Sequence, residues 1–205
     1  MTKSFTNLRE REKKIRQDLI LDAAERAFSD RPFTLVSMRE IAREAGISHT
    51  AIYRHFPDQQ TLFVEAFLRG IRKLAPLLET ALSEEDGLEK ASELFIDFLV
   101  VHDHYYRMMA NFMLDPRLTA EQIERLNDVE RTLLDLFDLY FRKIDPNTDV
   151  RIHSHSFFAS LNGILITFRD YPGRDRKEVL LHMKKLGRHV AGVYRRGIAL
   201  PDIRT

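Results

Sequence analysis

The chain has 205 residues, 44% hydrophobic and 31% charged, with 32 Lys and Arg against 31 Asp and Glu; this suits one large or two modest soluble domains. No apolar run approaches the roughly 18 residues that span a bilayer, and residues 1–12 lack the apolar centre of a secretory signal, so a cytoplasmic protein is expected. With no cysteine, disulfides and thiolate metal sites are excluded.

The near-neutral total hides a basic start. Residues 1–16 carry Lys3, Arg9, Arg11, Lys13, Lys14 and Arg16 against Glu10 and Glu12, six minus two, or +4. Such an arm can lie along phosphates, although a merely solvated terminus has the same composition. From there the helical period runs through nearly every segment, and no stretch alternates like a strand. The expected class is all-α, with about nine helices.

The first helix reads as 9–29, burying Ile15, Leu19, Ala23, Ala27 and Phe28, and stops near Pro32. A short second helix opens at Ser37, where Ser37 and Glu40 have the spacing of a capping box. Its inner stripe is Met38, Ile41, Ala42 and Ala45, and Gly46 suits the left-handed residue after a helix. A third follows the Ser48 cap and ends at Phe56-Pro57. Asp58 opens a fourth, carrying Leu62, Phe63, Ala66, Phe67, Ile71 and Leu74 until Pro76 kinks or ends it. Further helices are expected at 88–106, 107–114, 119–143, 150–170 and 175–196, the breaks falling at 83–87, 115–116, 145–147 and 171–173. In domain terms, 1–57 forms one unit, 58–75 a connecting helix, and 76–205 a larger helical unit.

Residues 38–56 carry the functional signal. Two short helices joined by a glycine turn form the helix-turn-helix that reads double-stranded DNA, the second helix entering the major groove. Ile52 and Phe56 must point inward to dock that helix, which leaves His49, Thr50, Tyr53 and Arg54 outside. Imidazole and hydroxyl can exchange hydrogen bonds with base edges, a threonine methyl can pack on thymine, and tyrosine, histidine and arginine can hold phosphates. Helical hairpins with glycine turns also occur without DNA, so spacing alone leaves both readings open.

The run Met38-Arg39-Glu40-Ile41-Ala42-Arg43-Glu44-Ala45-Gly46-Ile47-Ser48, followed by Ala51-Ile52-Tyr53-Arg54-His55-Phe56-Pro57-Asp58, resembles the DNA-binding signature of TetR/AcrR-family regulators over roughly residues 10–70. The resemblance implies a three-helix DNA-binding domain, a divergent helical effector domain, and a homodimer built by the last two helices. It further implies contacts to the backbone or a base from Ser37 and Arg39, base reading by His49 and Thr50, and phosphate contacts from Tyr53 and His55; Ser48 and Arg54 complete the candidate DNA-binding set. One position departs: where the family often has a phosphate-binding lysine just after Phe-Pro, this chain has Gln59.

Beyond residue 75 the sequence is less specific. Ser156, Ser160, Gly163 and Thr167 form a small-residue stripe, and Gly187 and Ala191 a second one, which points to close helix approach at a twofold dimer interface or, alternatively, within one subunit. Tyr105, Met108, Met109, Phe112, Tyr140 and Phe158 are candidates for an effector pocket accepting a small, mostly apolar molecule, and equally for ordinary core. Asn162 needs a partner if buried, either a ligand or a backbone carbonyl. His102/His104 and His153/His155 point about 200° apart on their helices, so neither pair grips one metal ion. No catalytic motif, cofactor loop or metal signature is present. The expectation is a non-enzymatic regulator of a pseudo-palindromic operator, released by a small molecule. The alternatives are a DNA-binding protein governed by a protein partner, one with a nucleoid role, or a small helical enzyme.

Overall fold

The computed structural model describes residues 2–31, 35–114, 118–147 and 149–199. Among them are α1 (Thr2–Asp30), α2 (Met38–Glu44), α3 (His49–Ile52), α4 (Gln59–Leu82), α5 (Gly87–Val101), α6 (Asp103–Leu114), α7 (Ala120–Ile144), α8 (Val150–Phe168) and α9 (Arg176–Ala199), with no strand. They form two compact units: residues 1–70 with 102–126, and 71–101 with 127–205. Residues 102–126, expected in the C-terminal domain, therefore return to the N-terminal unit. The chain crosses between units inside α4, between α5 and α6, and inside α7.

In the first unit α1 buries Ile20, Leu21, Ala23, Ala24, Ala27 and Phe28. Ile15 and Leu19, expected inside, are 52% and 50% exposed. A row of i+4 steps turns by about 40° per step at 3.6 residues per turn, so Ala27–Ala23–Leu19–Ile15 winds out of the core, and Ile20 replaces Leu19. Phe28 meets Phe63 of α4 edge-on, with centroids 5.2 Å apart. Beside them Arg69, largely buried, binds Asp22 at 2.8 Å and Glu25 at 2.7 Å. Burial disfavours the guanidinium, but the two carboxylates outweigh it and its pKa stays raised.

Helix α6 adds Tyr105, Met108 and Met109 to this core. The Tyr105 ring lies where a Cβ on Gly70 would stand, 2.5 Å away, so this helix crossing requires glycine. Burial, then the charge of Glu25, pushes the phenol far above its ordinary pKa. Arg107 donates to the carbonyl oxygens of Phe28 and Ser29 at the end of α1.

The fourth helix does not end at Pro76 but continues to Leu82. Proline removes one rung of the ladder at about 3 kcal/mol; burial of Leu74, Leu78, Ala81 and Leu82, at roughly 1.5–3 kcal/mol for each leucine, offsets it. In the second unit α5 and α9 run antiparallel, joined by Asp97–Lys184, Glu93–Arg188 and Glu89–Arg195. Phe137 and Phe141 of α7 and Phe157 of α8 form an aromatic cluster with Tyr194 of α9.

Candidate nucleic-acid interface

The second and third helices are held at fixed ends. Ser37 accepts the Glu40 backbone N–H, and the Glu40 carboxylate accepts the Ser37 backbone N–H in return at 2.9 Å. The same carboxylate accepts from Arg31 at 3.0 Å. The Ser37 backbone bond, then Arg31, then the Ser37 hydroxyl hold the Glu40 pKa at about 2. At the other end Gly46 N–H reaches Arg43 O and Ile47 N–H reaches Ala42 O, the paired bonds of a Schellman turn. Gly46 sits at φ 70°, a region that favours glycine. Arg26 ties α1 to α2 through Glu44 at 2.6 Å.

Helix α3 is a single turn, His49–Ile52, capped by the Ser48 hydroxyl, which accepts the Ala51 N–H. The hydroxyls of Ser37 and Ser48, both expected on DNA, cap α2 and α3 and so set the direction of the helix starts. Ile52 and Phe56 are buried as expected. His49, Thr50, Tyr53 and Arg54 are exposed, and so is Arg39 on α2. His49 and Tyr53 face each other edge-on with centroids 5.2 Å apart, which presents an imidazole and a phenol at adjacent heights. Between α2 and α3 lies a groove of about 430 Å³ lined by Arg39, Glu40, Ala42, Arg43, Ile47 and His49. Arg43 was not singled out in the sequence, where it reads as one more solvated cation; only the groove distinguishes it. His55 is half-buried, and burial first, then Arg16, Lys13 and Arg54, hold its pKa below the ordinary value. Gln59 donates its amide to Val36 O, so this side chain is turned into the domain.

Residues 20–66 match the family model described as bacterial regulatory proteins, tetR family. Over this segment the chain is similar to the tetR family. Among curated relatives, an HTH-type transcriptional regulator of Haemophilus influenzae is 29% identical over 100 residues, 47% of this chain and 49% of that protein. Another, from Mycobacterium tuberculosis, is 37% identical over 79 residues, 38% of each chain. The match thus spans about half or less of these relatives' length. The fold likeness runs further. The regulator FadR from Bacillus subtilis, solved in complex with stearoyl-CoA, superposes with TM-score 0.70 over 87% of this chain and 97% of its own, at 16% identity.

The other sequence candidates divide between the units. Tyr105, Met108 and Met109 are buried in the first, and Tyr105 is committed to the Gly70 crossing, which makes it core there. The side chain of Phe112 lies outside the described residues. Tyr140 and Asn162 are buried in the second unit and Phe158 is half-buried, its ring 5.8 Å from Phe95. Asn162 donates to Phe158 O at 2.9 Å, the carbonyl alternative; its buried Oδ1 has no hydrogen-bond partner among the described residues. Of the small stripes, Gly163 and Thr167 are exposed and Ser156 and Ser160 half-exposed, the two serines bonding back to carbonyls of α8. Gly187 and Ala191 instead are buried in their own unit. A Cβ on Gly187 would stand 2.8 Å from Ile96 Cδ1 of α5, so this stripe seats α9 on α5 rather than on a twin. Among the described residues no group of three or more His, Asp or Glu could hold a metal ion, and no helix is long and apolar enough to cross a membrane.

Proposed function

We propose that this chain is a cytoplasmic, non-enzymatic transcriptional regulator that binds a pseudo-palindromic operator as a homodimer. The observation that carries the reading is the capped α2–turn–α3 unit, whose outer side offers Arg39, His49, Thr50, Tyr53 and Arg54 with a groove between the helices. His49 and Thr50 read bases, while Arg39, Tyr53, Arg54 and His55 hold phosphates. The twofold partner packs on the exposed side of α8, where Ile152 and Ile166 are 61% and 60% exposed and flank Gly163; two copies of α3 then meet two half-sites.

The effector is a small, mostly apolar molecule held in the second unit near Tyr140, Phe158 and Asn162, whose Oδ1 asks for one N–H or O–H donor. FadR, with its stearoyl-CoA, supports an acyl compound as the first probe. The test is selection of duplexes from a random pool with purified protein, followed by mobility shifts with stearoyl-CoA and with hydrophilic metabolites. Enrichment of an inverted repeat released by the acyl probe is expected. A pool that stays random rejects the regulator reading, and release by hydrophilic metabolites alone rejects the effector class.

A further inference from the structure

The face of α1 that enters the first unit continues past the edge of the core. Ile20, Ala23, Ala24 and Ala27 are buried, and at about 100° per residue Arg9, Lys13 and Arg16 fall within about 40° of Ile20. Since α1 is one helix from Thr2 to Asp30, these three cations form a straight extension of the packed stripe. They are exposed, and none makes an ion pair among the described residues. Of the other cations near α1, Arg26 is spent on Glu44 and Arg69 on Asp22 and Glu25, while Arg11 and Lys14 are exposed on the other faces of the helix.

The stripe passes the turn that follows α3. There the Nδ1 of His55 is buried without a hydrogen-bond partner among the described residues, and Arg16, Lys13 and Arg54 all act on its ring. Arg54 likewise makes no ion pair among the described residues. Four cationic or imidazole groups therefore gather at one end of the reading unit, two of them from α1. At the start of α4 no cation joins them, because Gln59 stands there with its amide on Val36 O.

We propose that Lys13 and Arg16, with Arg9 beyond them, bind DNA phosphates flanking those reached by α2 and α3, so that α1 is a second DNA-contacting element. The inference rests on the operator-binding reading above. Arg9 to Arg16 spans about 10 Å at 1.5 Å per residue, which matches about three phosphates at 3.4 Å of axis per strand. The competing partner for a basic helix is an anionic membrane. That surface would need Leu8, Ile15 and Leu19, which are 50–54% exposed on a face about 100° away from the cations.

Two double variants of equal net charge test this on the full chain with a duplex enriched from the random pool: Lys13→Gln with Arg16→Gln, and Arg11→Gln with Lys14→Gln on the other faces. Each lost phosphate contact lowers the slope of log affinity against log salt by about 0.9, and a dimer presents each contact twice. The first variant should therefore lose between about three and four units of slope, and the second less than one. Equal losses would mean a diffuse charge effect and overturn the proposal, as would unchanged slopes in both. Wild-type protein that binds phosphatidylglycerol vesicles through Lys13 and Arg16, with its DNA slope unaltered in the variant, would assign the stripe to lipid instead. Wild type that enriches no duplex overturns the regulator reading itself, a failure seen before the variants are compared.

Discussion

A lysine at position 59 would bring a charge to the start of α4; the glutamine found there turns its amide to the Val36 carbonyl. Gln59→Lys should thus do two opposed things. It should cost about 1 kcal/mol of stability through the lost hydrogen bond, and it should steepen the salt dependence of DNA binding by about one unit per protomer. Thermal melts and a salt titration check the two effects separately, and an unaltered slope would show that residue 59 does not face DNA. Acid stability belongs to the same scale. Glu40 is held at about 2 by Ser37 and Arg31, so its folded pKa lies below the unfolded one. Its contribution is complete above pH 4.5 and is lost as pH falls from there toward 2. For His55 the imidazole is held low, so the unfolded chain takes the proton first and stability falls as pH drops through 6.5. Glu40→Gln should flatten the first limb and His55→Gln the second, each read by urea unfolding at stepped pH. Unchanged pH profiles would remove both assignments.

Among the elements, what the sequence reveals depends on how local the cause is. Caps and turns were legible because their chemistry lies within four residues: Ser37 with Glu40, Ser48, and Gly46 all occupy the places their side chains or φ preferences dictate. The α2–α3 reading unit followed from them and from its resemblance to the tetR signature. At Pro76 local sterics left a kink and an end both open, and the burial that carries the helix on to Leu82 comes from distant helices. The α5–α6 boundary moved from 106 to 102 for a related reason: the helical period runs on through His102 with no Pro or Gly to mark the break. Gly70 gave no signal at all, since what makes it necessary is a ring from α6, whereas Gly187 signalled close helix approach without saying that the partner is an isoleucine of α5 in its own chain. A methyl at residue 70 has no flexible end to push aside, only the buried Tyr105 ring. Gly70→Ala should cost about 1–3 kcal/mol as an overpacked site, and Tyr105→Leu in the same chain should recover part of it. If Gly70→Ala melts like wild type, α4 and α6 do not cross as closely as described.

For the whole molecule, the two glycines of α8 and α9 separate folding from assembly. Gly163 is exposed, with nothing within 4 Å of a Cβ, whereas a Cβ on Gly187 would meet Ile96 and Ser92 of its own chain. Gly187→Leu should lower the melting temperature at any protein concentration. Gly163→Leu should leave the subunit folded and act only on dimerisation, through the close helix approach that a bulky side chain prevents. Sedimentation over a concentration series distinguishes them, and a Gly163→Leu dimer as tight as wild type would move the interface off this face of α8. The effector proposal makes a second demand on the same helix. A buried carbonyl oxygen left without a donor costs roughly 1–3 kcal/mol, which a protein retains only if something offsets it; for Asn162 the proposed offset is a bound molecule. Asn162→Leu removes the orphan Oδ1 together with the bond from Nδ2 to Phe158 O, a bond worth about 1 kcal/mol. Without ligand the variant should be as stable as wild type or slightly more so, and it should bind the operator normally. With the acyl probe it should no longer show the rise in melting temperature or the release from DNA that wild type shows. A variant that loses stability yet still responds would make Asn162 a structural residue of α8, and the effector would have to be sought elsewhere in the second unit.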